Sequence, residues 1–294
     1  MPGADQGCTP GVTAMPESKP SSFTGDRRRA EWVERIEGYA RDATPRTRLY
    51  ADALVSLVAP APGARVLDAA TGSGAVAVEA ARRVGPKGSV LATDFLPEWE
   101  PYVIRLAAEA SVANVSFAAM PMEALALPDA SFDVVLCQFG LMFVDDRVRA
   151  LREMRRVLRP GGKLGVTVWS EPEKVGLFLI SRLVSAALPP PEGEPGASPT
   201  ALGEPGLIEG LVAEAGFRDI VVERVTLIHP VEDAAEEWRR WSDPVANPAA
   251  RGLAALSEEQ QRRLRDDVIA ALEAFREGEE IRIPSEAILV VGLA

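Results

Sequence analysis

The stretch RVLDAATGSG, residues 65–74, limits what this chain can fold into more than any other. Val66 and Leu67 favour strand, Asp68 closes the apolar run with an acid, and Gly72 and Gly74 open a tight turn into the helix-forming run AVAVEAARR, which Gly85 ends. Such a turn lets backbone approach a ligand closely, because glycine has no Cβ and tolerates positive φ. It also aims the unsatisfied N–H groups of a helix N-terminus at whatever sits there. The local pattern predicts a cofactor site.

Two cofactors compete for a turn of this kind. Gly72-Ser73-Gly74 followed by Ala77 fits the dinucleotide fingerprint GxGxx(G/A), and Asp94 follows about 20 residues on, where a ribose-binding acid belongs. That reading makes the chain an NAD(P)-dependent oxidoreductase. Asp68 argues against it, because a carboxylate at the strand tip sits poorly beside a pyrophosphate and well beside a cation. S-adenosylmethionine carries an ammonium and a sulfonium and has no phosphate. The whole run resembles motif I of the class I S-adenosylmethionine-dependent methyltransferases, hhDxGxGxG, and more narrowly the small-molecule (methyltransferase type 11) branch that includes the ubiquinone and menaquinone methyltransferases. Ala70 stands where the first glycine of that motif is usual. A protein that binds S-adenosylmethionine without transferring its methyl group is a further alternative.

Strand and helix alternate from residue 65 to residue 169, which predicts an α/β protein with a doubly wound parallel sheet and a ligand site at the carboxyl ends of the strands. The resemblance implies a Rossmann-like sheet of seven strands, mainly parallel, with the last strand antiparallel. Residues 1–25, rich in Gly, Pro, Ser and Thr, read as a disordered tail with no signal peptide, and 26–60 as an N-terminal helical cap. Residues 61–230 form the cofactor domain, 231–280 a helical lid or insertion, and 281–294 the final strand of the main sheet. The Pro- and Gly-rich run 189–206 is read as a mobile lid loop or a plain linker. The insertion carries Trp238 and Trp241 and either caps the substrate or supports a homodimer.

A net charge of −11 disfavours a nucleic-acid partner, no apolar run reaches the length of a membrane span, and Cys8 and Cys137 make no disulfide framework. These features predict a cytoplasmic protein acting on a small molecule. One histidine and two distant cysteines supply no metal-ligand cluster.

The resemblance assigns roles residue by residue. Asp68, Ala69, Ala70, Gly72 and Gly74 belong to motif I, Asp94 would receive the ribose hydroxyls, and Phe95 would pack on the adenine. Tyr39, from the N-terminal helices, would lie near the methionine end of the cofactor, although those helices read equally well as cover for one end of the sheet. The family pattern GDAxxLPFPDxSFD is MPMEALALPDASFD here, so Pro121 replaces the aspartate that bonds the adenine amino group and leaves the backbone N–H of Met122 to serve the ring. Gln138, at the end of the strand SFDVVLCQ, would sit beside the cofactor, with Phe139, Met142, Phe143 and Trp169 lining a methyl-transfer cavity or else packing the core. Displacement at a sulfonium methyl needs orientation and exclusion of water more than acid–base help. Two residues are candidates for a base: His229, the one histidine, at the end of a strand, and Glu171 just after another. The expected reaction is methyl transfer from S-adenosylmethionine to a small, largely apolar or aromatic acceptor at oxygen, carbon or nitrogen, in specialised or quinone-type metabolism, releasing S-adenosylhomocysteine.

Overall fold

A computed structural model describes residues 26–189, 198–244 and 247–294. The expected tail 1–25 and most of the apex of the Pro- and Gly-rich run lie outside the described residues. Two helices, α1 (Asp26–Gly38) and α2 (Thr44–Val58), are joined by a single π-helical turn, Tyr39–Ala43. The sheet then begins with β1 (Arg65–Ala69), whose Val66 and Leu67 are fully buried, and α3 (Ala75–Val84) follows the glycine turn. Next come β2 (Ser89–Asp94), α4 (Glu100–Glu109), β3 (Val115–Ala119), β4 (Phe132–Gln138), α5 (Arg147–Val157) and β5 (Leu158–Trp169). The remaining elements are α6 (Leu179–Ala187), α7 (Leu207–Glu214), β6 (Arg218–Val231), α8 (Ala234–Ser242), α9 (Glu258–Glu273), the two-residue β7 (Arg276–Glu277) and β8 (Glu280–Leu293).

The strand order is β3-β2-β1-β4-β5-β8-β6, with β7 folded back on β8. β1 through β5 pair in parallel, and β8 runs antiparallel between β5 and β6. This matches the expected doubly wound sheet with an antiparallel last strand, enlarged by the β7 stub. From β1 the chain first builds outward through β2 to β3, then returns to place β4 on the other flank of β1. The β1/β4 boundary is therefore the switch point, outside whose carboxyl ends a crevice opens in folds of this kind.

β6 and β8 reach farther than the rest of the sheet. β5 stops pairing at Trp169↔Ala287, whereas β6 and β8 continue together to Val231↔Ile281. On this projecting ribbon sits a second hydrophobic cluster built from Ile180, Val184, Val231, Trp238, Leu264, Val268, Leu272, Ile281 and Ile283. The insertion is thus a packed helical unit with α6 rather than a loose flap. The chain ahead of α6 hugs the ribbon: Gly176 lies so close to β8 that a Cβ would meet Ile283 Cγ2 at 2.4 Å, and α-helix begins only at Leu179. In the Pro- and Gly-rich run, Leu202 is buried and Gly203 packs on Ser170.

Candidate functional site

A cleft opens over the carboxyl ends of β1, β2 and β4, under the N-terminal helices. Its floor is the residue that closes the apolar run of β1. Asp68 is 1% exposed, its Oδ2 accepts the Thr71 hydroxyl at 2.6 Å, and its Oδ1 is buried with no hydrogen-bond partner. Burial of the charge, opposed by the Thr71 bond, pushes its carboxyl up to about 7.

The loop after β1 turns by left-handed backbone at Ala70 (φ 55°), Gly72 (52°) and Gly74 (91°). For Ala70, which has a Cβ, that conformation costs about 1 kcal/mol. The two glycines serve different ends. A Cβ on Gly72 would meet no atom within 4 Å, because that face opens into the cleft, whereas a Cβ on Gly74 would stand 3.1 Å from Val103 Cα in α4. Gly72 leaves room for a ligand, and Gly74 lets α3 and α4 pack.

Asp94, ending β2, is tied down by backbone: Gly72 N–H donates to Oδ2 at 3.0 Å and Leu96 N–H to Oδ1 at 3.2 Å. Burial outweighs these bonds and pushes its carboxyl up to about 6. Beside it the wall is apolar, formed by Phe95, Leu96, Met120, Pro121 and Met122. Tyr39 reaches in from the π turn, edge-on to Trp99 (5.9 Å between ring centres) and to Trp32 (6.3 Å), and its hydroxyl is pushed up to about 12 by burial and by the charge of Asp94. Two hydrogen bonds fasten this cap to the strand ends: Thr44 Oγ1 lies 2.9 Å from Ser73 Oγ, and Gln138 Nε2 donates to the Thr47 carbonyl at 3.1 Å. Across the cleft Phe139, with left-handed backbone at φ 55°, lays its ring 4.0 Å from that of Trp169.

Of the residues singled out in the sequence, Tyr39, Asp68, Ala70, Gly72, Asp94, Phe95, Pro121, Met122, Gln138, Phe139 and Phe143 line the cleft. Ala69 and Met142 do not: both are wholly buried in the main core. Trp169 stands behind Phe139 rather than in the wall. The two candidate bases are also elsewhere. β6 is separated from β4 by β8 and β5, so His229 stacks on Tyr50, 3.2 Å from its hydroxyl, at 4% exposure. Burial and the Arg46 charge press its imidazole down to about 4. Glu171 pairs with Lys174 outside the cleft, and Trp238 and Trp241 stack on each other in the second core. Sequence reasoning missed Trp32, Thr47, Thr71, Ser73, Trp99, Met120 and Glu123. Thr71 and Ser73 alternate with the glycines and were within reach of the motif; the two tryptophans looked like ordinary apolar helix positions.

The wall carries three carboxylates, Asp68, Asp94 and Glu123, and no Lys, Arg or His among the described residues. Residues 67–166 match the methyltransferase domain family. The match spans about a third of the chain. Within it fall Asp68, Asp94, Pro121 and Gln138, while the cap and the insertion lie outside the matched span. The ubiquinone/menaquinone biosynthesis C-methyltransferase UbiE of Shewanella sp. (strain ANA-3) is 38% identical over 134 residues, 45% of this chain and 53% of that protein. The chain thus matches about half the length of that curated relative. Among solved structures, the YcgJ protein of Bacillus subtilis superposes with a TM-score of 0.52 at 19% identity, over 83% of this chain and 98% of that one. Phosphoethanolamine N-methyltransferase 2 of Haemonchus contortus, solved with phosphomonomethylethanolamine and S-adenosylhomocysteine, gives a TM-score of 0.54 at 18% identity, over 92% of this chain and 60% of that one. Both share the methyltransferase domain's fold.

Proposed function

We propose that this protein is an S-adenosylmethionine-dependent methyltransferase acting on a small, largely apolar or aromatic acceptor of quinone or specialised-metabolite type. The observation that carries the reading is Asp68: a buried carboxylate with one unpartnered oxygen, at the switch point of the sheet, in a wall that offers no cation among the described residues. A pyrophosphate would be repelled there, and an ammonium would complete the site. When bound, S-adenosylmethionine supplies a methyl group made electrophilic by its sulfonium. The chain's part is to hold and orient. Asp68, steadied by the Thr71 hydroxyl, takes the ammonium, directly or through water, and the Ser73 hydroxyl and the first turn of α3 offer donors to the cofactor's carboxylate. Asp94, with its backbone bonds fixing its orientation, receives the ribose hydroxyls. Phe95, Pro121 and Met122 hold the adenine by shape and by the Met122 N–H. Tyr39 and the cap close over the top and exclude water.

The reaction follows at oxygen, carbon or nitrogen of the acceptor. The net charge of −11 and an apolar cleft wall favour a free small molecule over nucleic acid, and we place the reaction in the cytoplasm. No described helix is long and apolar enough to cross a membrane. Calorimetric titration with S-adenosylmethionine and NADH tests the cofactor, and S-adenosylhomocysteine release tests turnover. Binding of NADH in place of S-adenosylmethionine would overturn the reading, and binding without release from any acceptor would reduce it to a binding protein.

A further inference from the structure

The cofactor assignment above, on which this inference rests, has a direction along the sheet. Phe95, Pro121 and Met122 hold the adenine at the ends of β2 and β3, Asp94 the ribose at the end of β2, and Asp68 the amino-acid end at β1. The next strand in order is β4, so the reactive end of the cofactor points toward the residue that closes it. That residue is Gln138.

Gln138 is held in an unusual way. Its Nε2 donates to the Thr47 carbonyl of α2 at 3.1 Å, and its Oε1 is buried with no hydrogen-bond partner while the side chain lines the cleft. The amide cannot be turned over to relieve this, since its oxygen would then face the Thr47 carbonyl oxygen, acceptor against acceptor. A buried acceptor without a partner is costly in a finished structure, and a donor on a molecule bound in the cleft that Gln138 lines would relieve it. The cleft wall also has three carboxylates and no cationic side chain among the described residues, so it offers no side-chain counterion to a phosphate or carboxylate on the acceptor.

We propose that Gln138 is the specificity-determining residue for the methyl acceptor: its Oε1 accepts a hydrogen bond from an O–H or N–H of an uncharged acceptor, which selects hydroxyl- or amino-bearing molecules and rejects anionic ones. The acceptor's lone pair forms the bond to the methyl carbon, the carbon–sulfur bond breaks with its electron pair staying on sulfur, and the proton of the O–H or N–H passes to solvent water at the mouth of the cleft. Gln138 orients the attacking atom and takes no proton. Because its other end is held by the Thr47 carbonyl of α2, the cap fixes the orientation in which Oε1 meets the acceptor.

Two measurements test this. Catechol, 1-naphthol and aniline, each beside a carboxylated counterpart such as 2,3-dihydroxybenzoate, are screened for S-adenosylhomocysteine release, and the same compounds are titrated calorimetrically into protein loaded with S-adenosylhomocysteine. Neutral donors should bind and react, and their carboxylated counterparts should do neither. Gln138→Leu should lower kcat/KM and acceptor affinity at least tenfold while the Kd for S-adenosylmethionine stays within threefold. In Gln138→Glu the protonated carboxyl is isosteric with the amide, so at saturating cofactor its acceptor affinity should recover as pH falls from 8 to 6, a profile that mere loss of packing would not produce. Preference for the carboxylated compounds, or a Gln138→Leu protein that binds neutral acceptors like the wild type, overturns the proposal. A Gln138→Leu protein that loses S-adenosylmethionine instead would return this residue to the cofactor and overturn it equally. If S-adenosylmethionine fails to bind the wild type at all, it is the cofactor reading that falls.

Discussion

Replacing Asp68 with asparagine should make the protein more stable and useless at once. Burial holds the Asp68 carboxyl near 7 in the folded protein, against an ordinary value of 3.8. A folded value raised above the unfolded one means that this group's contribution to stability is complete below about pH 4 and is lost as pH rises through 7. Three units at about 1.4 kcal/mol each set an upper limit of about 4 kcal/mol for that loss. An asparagine in its place would keep the bond from Thr71 and carry no charge to desolvate. Asp68→Asn should therefore raise Tm at pH 8 by several degrees, at about 2–4 °C per kcal/mol for a domain of this size, and leave it unchanged near pH 4. The same arithmetic sets the pH dependence of cofactor binding. The ammonium needs the ionised carboxylate, so the wild-type Kd for S-adenosylmethionine should weaken about tenfold from pH 8 to pH 6, and the asparagine variant should bind far more weakly and without that slope. Differential scanning calorimetry and isothermal titration at the three pH values measure both effects. A variant no more stable than wild type at pH 8, or a wild-type Kd flat between pH 6 and 8, would show that Asp68 is solvated or paired and refute the reasoning.

Other expectations follow from the same geometry. Gly72→Val should abolish S-adenosylmethionine binding in calorimetry, because its side chain points into the cleft, and lower Tm only by the roughly 1–2 kcal/mol of a side chain held at φ 52°, while Gly74→Val, at φ 91° and also pressed on Val103, should cost more than about 2 kcal/mol and show first as a lowered Tm. Pro121→Asp should tighten S-adenosylmethionine by about 1 kcal/mol by adding an acceptor for the adenine amino group; unchanged affinity would place residue 121 away from the adenine. His229→Ala should lower Tm by removing the ring stacked on Tyr50, yet leave kcat within about threefold, since the imidazole lies outside the cleft wall; a hundredfold fall in kcat would restore it as a base.

The half of the site that could be read from the chain is the half made by local patterns. Asp68, Gly72 and Asp94 lie at strand ends whose position follows from an apolar run and its punctuation, and the parallel sheet then brings β1 and β2 side by side. The roles of Gly72 and Gly74 looked alike in the motif because spacing does not say which face of a turn meets α4 and which meets open space. His229 and Glu171 lie outside the cleft for different reasons. His229 is on the far edge of the sheet, and the order β5-β8-β6 is a long-range fact absent from any local run, whereas Glu171 follows β5 beside β4 but is turned to Lys174. The packing of Trp238 and Trp241 was out of reach likewise, because the projecting β6–β8 ribbon gives the insertion a core of its own. Ion pairs from that insertion to the cap, Arg46 with Glu237 at 2.9 Å and Arg251 with Glu34 at 2.6 Å, join residues some two hundred positions apart.

The place of β8 in the sheet has a consequence for how the molecule is made. Residues 280–293 leave a ribosome after every other strand of the sheet, yet they form an interior strand, and β6 reaches the sheet only through them. During synthesis the parallel part, β1 to β5, can assemble with α2 to α5 while the flank of β5 stays open along the stretch from Lys163 to Trp169, whose later residues are apolar. β6 must wait as an unpaired fourteen-residue strand until β8 slots between the two. An open strand edge of that kind is a template for pairing with other chains, so the nascent protein is most prone to aggregate in the interval between emergence of β6 and arrival of β8.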